Sequence, residues 1–185
     1  MLTKLNLDLK ADKKEHSYYL LMDEVSQTSI RPVIEWIFDA NFAEERPDVM
    51  NLMICSQGGD LTAGFALIDV MRGSAIPIRT IGLGQIASAG LMIFIAGKKG
   101  ERILTPNTSI LSHQFSWGFG GKSHELISSY KEIDLTATRM IEHYKKSTGM
   151  SEQKVKQFLL PQQDVWLSAH EAFELGICDH VKEMK

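Results

Sequence analysis

Apolar residues fall along the chain in two alternating patterns, short continuous runs and spaced sets, and the alternation predicts the elements. Tyr18 to Met22 is a short apolar run with strand character. Ser29 to Phe42 has helical spacing: Ile30, Val33, Ile34, Ile37 and Phe38 share one face, and Pro32 suits the first turn. Val49 to Cys55 is almost unbroken and lies between Pro47 and Gly58-Gly59, which predicts a buried strand. Leu61 to Met71 reads as a helix, and Ile76 to Leu83 as a strand closed by Gly82 and Gly84. Ser88 to Ala96 is short, apolar and rich in small residues, which suits a buried helix. Lys98-Lys99-Gly100 is a turn, with strands expected at Arg102 to Leu104 and Ser109 to Gln114. Strand, helix, strand, helix in that order predicts an α/β fold with a parallel sheet and crossover helices.

The pattern then changes. Ser116 to Gly121 is too rich in glycine for a regular interior element. The longest helical stretch follows, Ser123 to Thr148, stopped by Gly149. Ile127, Tyr130, Ile133, Leu135, Thr138, Ile141 and Tyr144 give it a partial apolar stripe. A helix so long on so small a chain is expected to protrude and pack on something else. Ser151 to Leu160 predicts another helix, and Trp166-Leu167 a short extended piece. Ser168 and Glu171 form a capping box that opens a last helix ending at Gly176, before a strand at Ile177 to Val181. Met1 to Lys14 reads as a mobile arm or an edge strand.

Composition narrows the class. The 185 residues are expected to form one domain, with residues 1–15 as an arm. Lys plus Arg is 20 and Asp plus Glu is 23, a net charge of −3 that gives no footprint for general nucleic-acid binding. Cys55 and Cys178 lie in apolar runs and read as small buried hydrophobes. No Cys or His stands at ligand spacing, so no metal is expected, and no other cofactor is called for. No run reaches a membrane span of about 18 apolar residues and no signal segment opens the chain, so the expectation is cytoplasmic. His16, His124, His143, His170 and His180 read as surface residues.

Four segments carry candidate chemistry. In Gly84-Gln85-Ile86-Ala87-Ser88-Ala89-Gly90 a strand ends, a tight turn follows and a serine opens a buried helix. That layout exposes a hydroxyl at the positive end of a helix, as a nucleophile elbow does. On this segment alone, Ser88 reads first as an N-cap. Ser56-Gln57-Gly58-Gly59-Asp60 links a buried strand to a helix, and its paired glycines can turn backbone N–H groups toward an oxyanion. Ser112-His113-Gln114 ends an apolar strand, where a satisfied buried histidine is the plain alternative. Asp164 precedes Val165-Trp166-Leu167-Ser168, where a loop or cap role is the plain alternative. Together they supply Ser, His, Asp and a Gly-Gly turn at the element termini where sites in parallel sheets gather.

These segments carry a family likeness. The chain resembles the proteolytic subunit of the Clp protease, within the ClpP/crotonase superfamily. The matching pieces are Ser56 to Gly59 with Thr62-Ala63-Gly64-Phe65, Gly84 to Gly90, Ala96 to Arg102, Leu104-Thr105-Pro106-Asn107, Ser112-His113-Gln114, Gly118 to Gly121, and Asp164 to Ser168 through Glu171-Ala172 and Leu175-Gly176. They run in the family's order over residues 48–182. The resemblance implies repeated β-β-α units with a protruding handle helix at about residues 122–148. It implies a triad of Ser88, His113 and Asp164, an oxyanion hole from the N–H groups of Gly59 and Ala89, and substrate contacts at Leu61, Phe115 and Ser116. It also implies self-assembly into a heptamer, with two rings stacked through the handles, unfolded polypeptide as substrate, and a Clp ATPase as partner.

The sequence departs from the family at four places. Gln57 and Phe115 stand where the family has proline, which loosens the backbone there. Ala89 stands where methionine is common after the nucleophile, which widens the first specificity pocket. Val165 replaces the arginine that pairs across the rings, so a single ring is better supported than a double one. Met1 to Lys14 does not match the family's axial loop. Competing expectations are a crotonase-type enzyme acting on a coenzyme A thioester, for which Asp60 is the acid nearest the Gly-Gly turn, a capsid-maturation protease of the same fold, and a silent ring subunit.

Overall fold

The computed structural model describes residues 15–118 and 120–183. The arm expected at Met1 to Lys14 lies outside the described residues. The elements in chain order are β1 (His16–Leu21), α1 (Gln27–Phe42), β2 (Val49–Ser56), α2 (Leu61–Gly73), β3 (Ile78–Ala87), α3 (Ala89–Ile95), β4 (Arg102–Leu104), β5 (Ser109–Ser112), α4 (Ser123–Thr148), α5 (Glu152–Phe158), β6 (Val165–Ser168), α6 (Ala169–Glu174) and β7 (His180–Val181). They fall into two compact units. One runs to Leu111 and resumes at Trp166; the other is Ser112 to Val165.

The first unit is an α/β sheet in the order β1-β2-β3-β4-β7, with β5 beside β3 and β6 beside β5. The ladders from β1 through β7, and that of β5 on β3, are parallel. Leu52, Ile54, Ile81, Leu67 and Phe94 are fully buried. The ten-residue β3 takes two partners in succession, β4 along Thr80 to Gly82 and β5 along Gln85 to Ala87. Gly82 and Gly84 therefore do not close this strand; they lie inside it. A Cβ on Gly82 would stand 2.3 Å from Ile86 Cδ1 and 2.5 Å from Leu104 Cδ2, so the glycine makes room for close packing rather than a stop.

Helix α1 also differs from expectation. Ser26 and Ser29 form a capping box, with Ser29 N–H donating to Ser26 Oγ at 3.2 Å and Ser26 N–H to Ser29 Oγ at 3.0 Å. The helix therefore starts at Gln27, and Pro32 falls in its second turn rather than its first. Ile30, Val33 and Ile37 are buried, but Phe38 faces out. At the other end of the unit, Arg102 is buried and its guanidinium pairs with Asp179 at 2.7 Å. Asp179 also accepts the N–H groups of Gly100 and Arg102. Burial alone would raise the Asp179 carboxyl, but the guanidinium and these two N–H donors outweigh it and hold the carboxyl below its ordinary range.

The second unit is built on α4, which spans 26 residues and ends at Gly149 in the left-handed conformation. Its buried residues are Thr136, Met140, His143 and Tyr144. Of the expected stripe only Tyr144 is buried, and Ile127 and Tyr130 are each 72% exposed. His143, expected at the surface, is 3% exposed, with its ring 5.4 Å from that of Tyr144. The helix buries the face one residue round from the stripe, which carries His143 inward. Among the described residues no helix is long and apolar enough to cross a membrane.

Candidate active site

The first unit holds four of the expected site residues, Ser88, Gly59, Ala89 and Leu61. Ser88 sits between β3 and α3 with φ 51 and ψ −122, and it alone among described non-glycine residues has a positive φ. Such a conformation costs about 1–3 kcal/mol and persists only where neighbours over-determine it. Here the Ser88 N–H donates to Leu111 O at 3.0 Å, and its carbonyl accepts from Met92 N at 3.1 Å. The Ser88 hydroxyl makes no capping bond to α3. The N-cap reading therefore has no hydrogen bond behind it, and the left-handed twist is that of an elbow.

The Gly-Gly turn lies against this elbow. A Cβ on Gly58 would stand 2.7 Å from Ser88 Cβ and 2.8 Å from Ala87 O. The turn is anchored from the other side, by Val25 N–H to Gly58 O at 2.8 Å and Asp60 N–H to Val25 O at 2.7 Å. The Ser56 hydroxyl donates to Asp23 O at 2.6 Å and accepts the Gly58 N–H at 3.2 Å. Gly59 is exposed, and the N–H of Ala89, first residue of α3, has no acceptor within its own helix. Leu61 is half-buried at the start of α2. Asp60 is the N-cap of that helix, accepting from Thr62 N at 2.7 Å and Ala63 N at 3.4 Å. A carboxylate engaged in capping is poorly placed for the acid–base work a thioester enzyme needs. Cys178 is no rival nucleophile, because burial pushes its thiol up to about 11.

The second unit holds the other expected residues. His113 is half-buried just past β5, and its Nδ1 lies 2.5 Å from the carbonyl oxygen of Gln114. A carbonyl only accepts, so Nδ1 carries a proton, which leaves Nε2 as the ring nitrogen open to base chemistry. The acceptor is thus a peptide carbonyl and not the Asp164 carboxylate. Asp164 is exposed in the loop before β6. The two loops are tied together by Gln114 N–H to Pro161 O at 3.1 Å and by the Ser112 hydroxyl to Leu159 O at 2.6 Å. Phe115 is half-buried with its ring edge-on to Trp117, centroids 6.0 Å apart, and Ser116 is exposed. Val25 and Pro161, which help hold the site, escaped the sequence reading, and Ser56 was read only as part of the Gly-Gly segment. Their long-range partners lie 33 to 47 positions away and are main-chain atoms, so no pattern of side chains announces them.

Comparison with known proteins follows the same lines. The family profile for Clp protease matches residues 11–185. The chain is 36% identical over 141 residues to the ATP-dependent Clp protease proteolytic subunit 1 of Leifsonia xyli subsp. xyli, covering 76% of this chain and 71% of the relative. It is 33% identical over 139 residues to the ATP-dependent Clp protease proteolytic subunit of Paracoccus denitrificans, covering 75% and 69%. It is 34% identical over 139 residues to the ATP-dependent Clp protease proteolytic subunit 2 of Thermobifida fusca, covering 75% and 68%.

Proposed function

The chain belongs to the Clp protease family, and from that premise we propose that its serine peptidase chemistry is carried by Ser88, His113 and Asp164. As a member it is a ClpP-type serine peptidase, and oligomeric assembly and association with Clp ATPases go with the family. The observation that carries the assignment is the left-handed Ser88 elbow pressed against the Gly58–Gly59 turn.

Each residue has one task. Ser88 Oγ attacks the peptide carbonyl, and His113 Nε2 takes its proton. The new tetrahedral oxyanion is held by the N–H groups of Gly59 and Ala89. His113 then returns the proton to the leaving amine, which breaks the C–N bond and leaves an acyl ester on Ser88. Water hydrolyses that ester with His113 again as base. Asp164, when it accepts the Nδ1 proton of His113, stabilises the imidazolium that forms between these transfers. Leu61, Phe115 and Ser116 flank the substrate.

The working unit is a ring of seven copies whose active sites face an enclosed chamber, acting on unfolded polypeptide in the cytoplasm. Stacking of two rings, and docking to an ATPase, belong to the same reading. The assignment is tested by fluorophosphonate labelling followed by peptide mapping. Label on Ser88 is expected; a labelled protein whose adduct lies elsewhere, or no label in the assembled state, overturns it.

A further inference from the structure

Ser56, the last residue of β2, is a polar side chain only 4% exposed, and the reaction above gives it no task. Its hydroxyl donates to Asp23 O at 2.6 Å and accepts the Gly58 N–H at 3.2 Å. The loop that carries Asp23 also fixes the glycine turn, since Val25 N–H donates to Gly58 O at 2.8 Å and Val25 bridges to Gly59. A buried hydroxyl costs free energy unless it is paired, and this one is paired on both sides. Alanine at this position would take a partner from the Asp23 carbonyl and from the N–H of the buried Gly58.

The other side of Ser56 touches the elbow. The β2–β3 ladder runs evenly up to Ile54 against Gly82 and then shifts, so that Ser56 pairs with Ile86, close before Ser88. The elbow helix comes closer still. A Cβ on Gly90, in the first turn of α3, would stand 3.0 Å from Ser56 O, 3.2 Å from Ser56 Cβ and 3.5 Å from Ser56 Oγ. Glycine at position 90 thus lets the helix rest directly on Ser56. Ser56 therefore reaches both halves of the oxyanion hole: Gly58 precedes the Gly59 donor, and Gly90 follows the Ala89 donor. Resting on the triad reading above, we propose that Ser56 is a positioning residue for peptide cleavage, its hydroxyl setting the separation of the Gly59 and Ala89 N–H groups so that both meet the oxyanion. The oxyanion of the tetrahedral intermediate does not sit where the substrate carbonyl oxygen did. An error in that separation therefore weakens the transition state more than it weakens bound substrate. Loss of the hydroxyl is felt in kcat rather than in KM.

The test uses the assembled full chain and a fluorogenic peptide, with kcat counted per site labelled to completion by a fluorophosphonate. Ser56→Ala is expected to lower kcat by about 10- to 100-fold, less than the loss of a whole oxyanion donor, with KM little changed. A peptide boronate, whose tetrahedral adduct on Ser88 places an oxygen in the hole, should lose affinity by the same factor. Ser56→Thr keeps the hydroxyl and should recover most of the rate. Ser56→Cys, similar in shape but a weak donor and acceptor, should fall between, and it takes the place of alanine if alanine prevents folding. A crystal structure of Ser56→Ala should show the Gly59 and Ala89 nitrogens at a separation different from the wild type. The proposal is overturned by a fall in kcat of less than about tenfold, by a loss carried in KM, or by boronate affinity that does not follow kcat. It is equally overturned if the two nitrogens keep their separation. If they shift while wild-type cleavage and Ser88 labelling are both absent, the placement of the two N–H groups by Ser56 stands and the peptidase assignment falls.

Discussion

The strand ends around Ser88 and the loops around His113 are built on opposite principles. At the Ser88 end, position is dictated by main-chain atoms: a parallel ladder, a strained peptide and a turn anchored by Val25. Gly58, Ala87 and Ala89 are buried there, and a methyl group added to Gly58 has nowhere to go. At the His113 end the functional side chains are half-buried or exposed, and a cavity lies beside them. On the proposed assignment, main-chain contacts fix Ser88 and the Gly58–Gly59 turn, whereas His113 is half-buried and Asp164 exposed on loops. Donors held rigidly where charge develops are what oxyanion stabilisation requires.

The comparison makes its strongest claim at the nucleophile. Ser88→Ala is expected to lower peptide cleavage by about 10⁴-fold or more, as loss of a triad nucleophile does, with thermal stability little changed. Steady-state kinetics with a fluorogenic peptide, beside a melting curve, check both halves. Residual cleavage within tenfold of the wild type would move the chemistry off the rigid end. Next in size is the clasp that holds β7 to β4. Arg102→Leu leaves the Asp179 carboxylate half-buried and unpaired, which costs about 3–5 kcal/mol, read as a lower denaturation midpoint in urea. The pH dependence has a definite sign. Asp179 is held below the ordinary carboxylate range, so its contribution is complete above about pH 4 and is lost as pH falls through its lowered folded value. Wild-type and Asp179→Asn stabilities should therefore converge in acid.

A smaller loss is expected at the turn. Gly58→Ala combines a φ of 94 with a collision against Ser88 Cβ and the Ala87 carbonyl. The turn must retreat and take the Gly59 N–H with it. The expected cost is about 10²–10³ in kcat, the size of one lost oxyanion donor, with KM nearly constant. A matching substitution at the adjustable end, Ser116→Ala, should change kcat by less than tenfold. Equal losses at both positions would erase the proposed contrast.

The same contrast explains what could be read from sequence. Helix α4, Ser123–Thr148, was legible within about one residue at its start, because a helical period and Gly149 are local signals. The parallel order followed from alternating runs. Glycines misled where they serve packing: Gly82 and Gly84 read as stops, while the strand runs on through them to deliver Ser88. Pro32 pointed to a first turn that the Ser26 capping box had already claimed. His143 read as a surface residue because α4 buries a face that its apolar positions do not mark. The triad candidates were found by family likeness, since Ser88, His113 and Asp164 lie far apart in the chain. The Gln114 carbonyl on His113 Nδ1 had no sequence signal, being a main-chain atom. Local signals thus sufficed for elements and failed for the contacts between them.

The smallest effect on folding is expected on the first half of α4, and it sharpens the comparison most. Leu126, Ile127 and Tyr130 are exposed, whereas Met140 ten positions past Tyr130 is 3% exposed. Met140→Ala should cost about 2–5 kcal/mol, because it leaves a hole in a packed face. Ile127→Ser with Tyr130→Ser should shift stability of the isolated chain by only about 0.5 kcal/mol, as surface substitutions do. Side chains this large and apolar are not held exposed by the chain's own folding, so the reason for them lies in assembly. Light scattering of the double variant should then give a mass below that of the wild type, which is expected at several times the 20.8 kDa of one chain. A variant that keeps both its stability and its full assembled mass would leave the exposed half of α4 without a partner, and would shift the burden of assembly to the first unit.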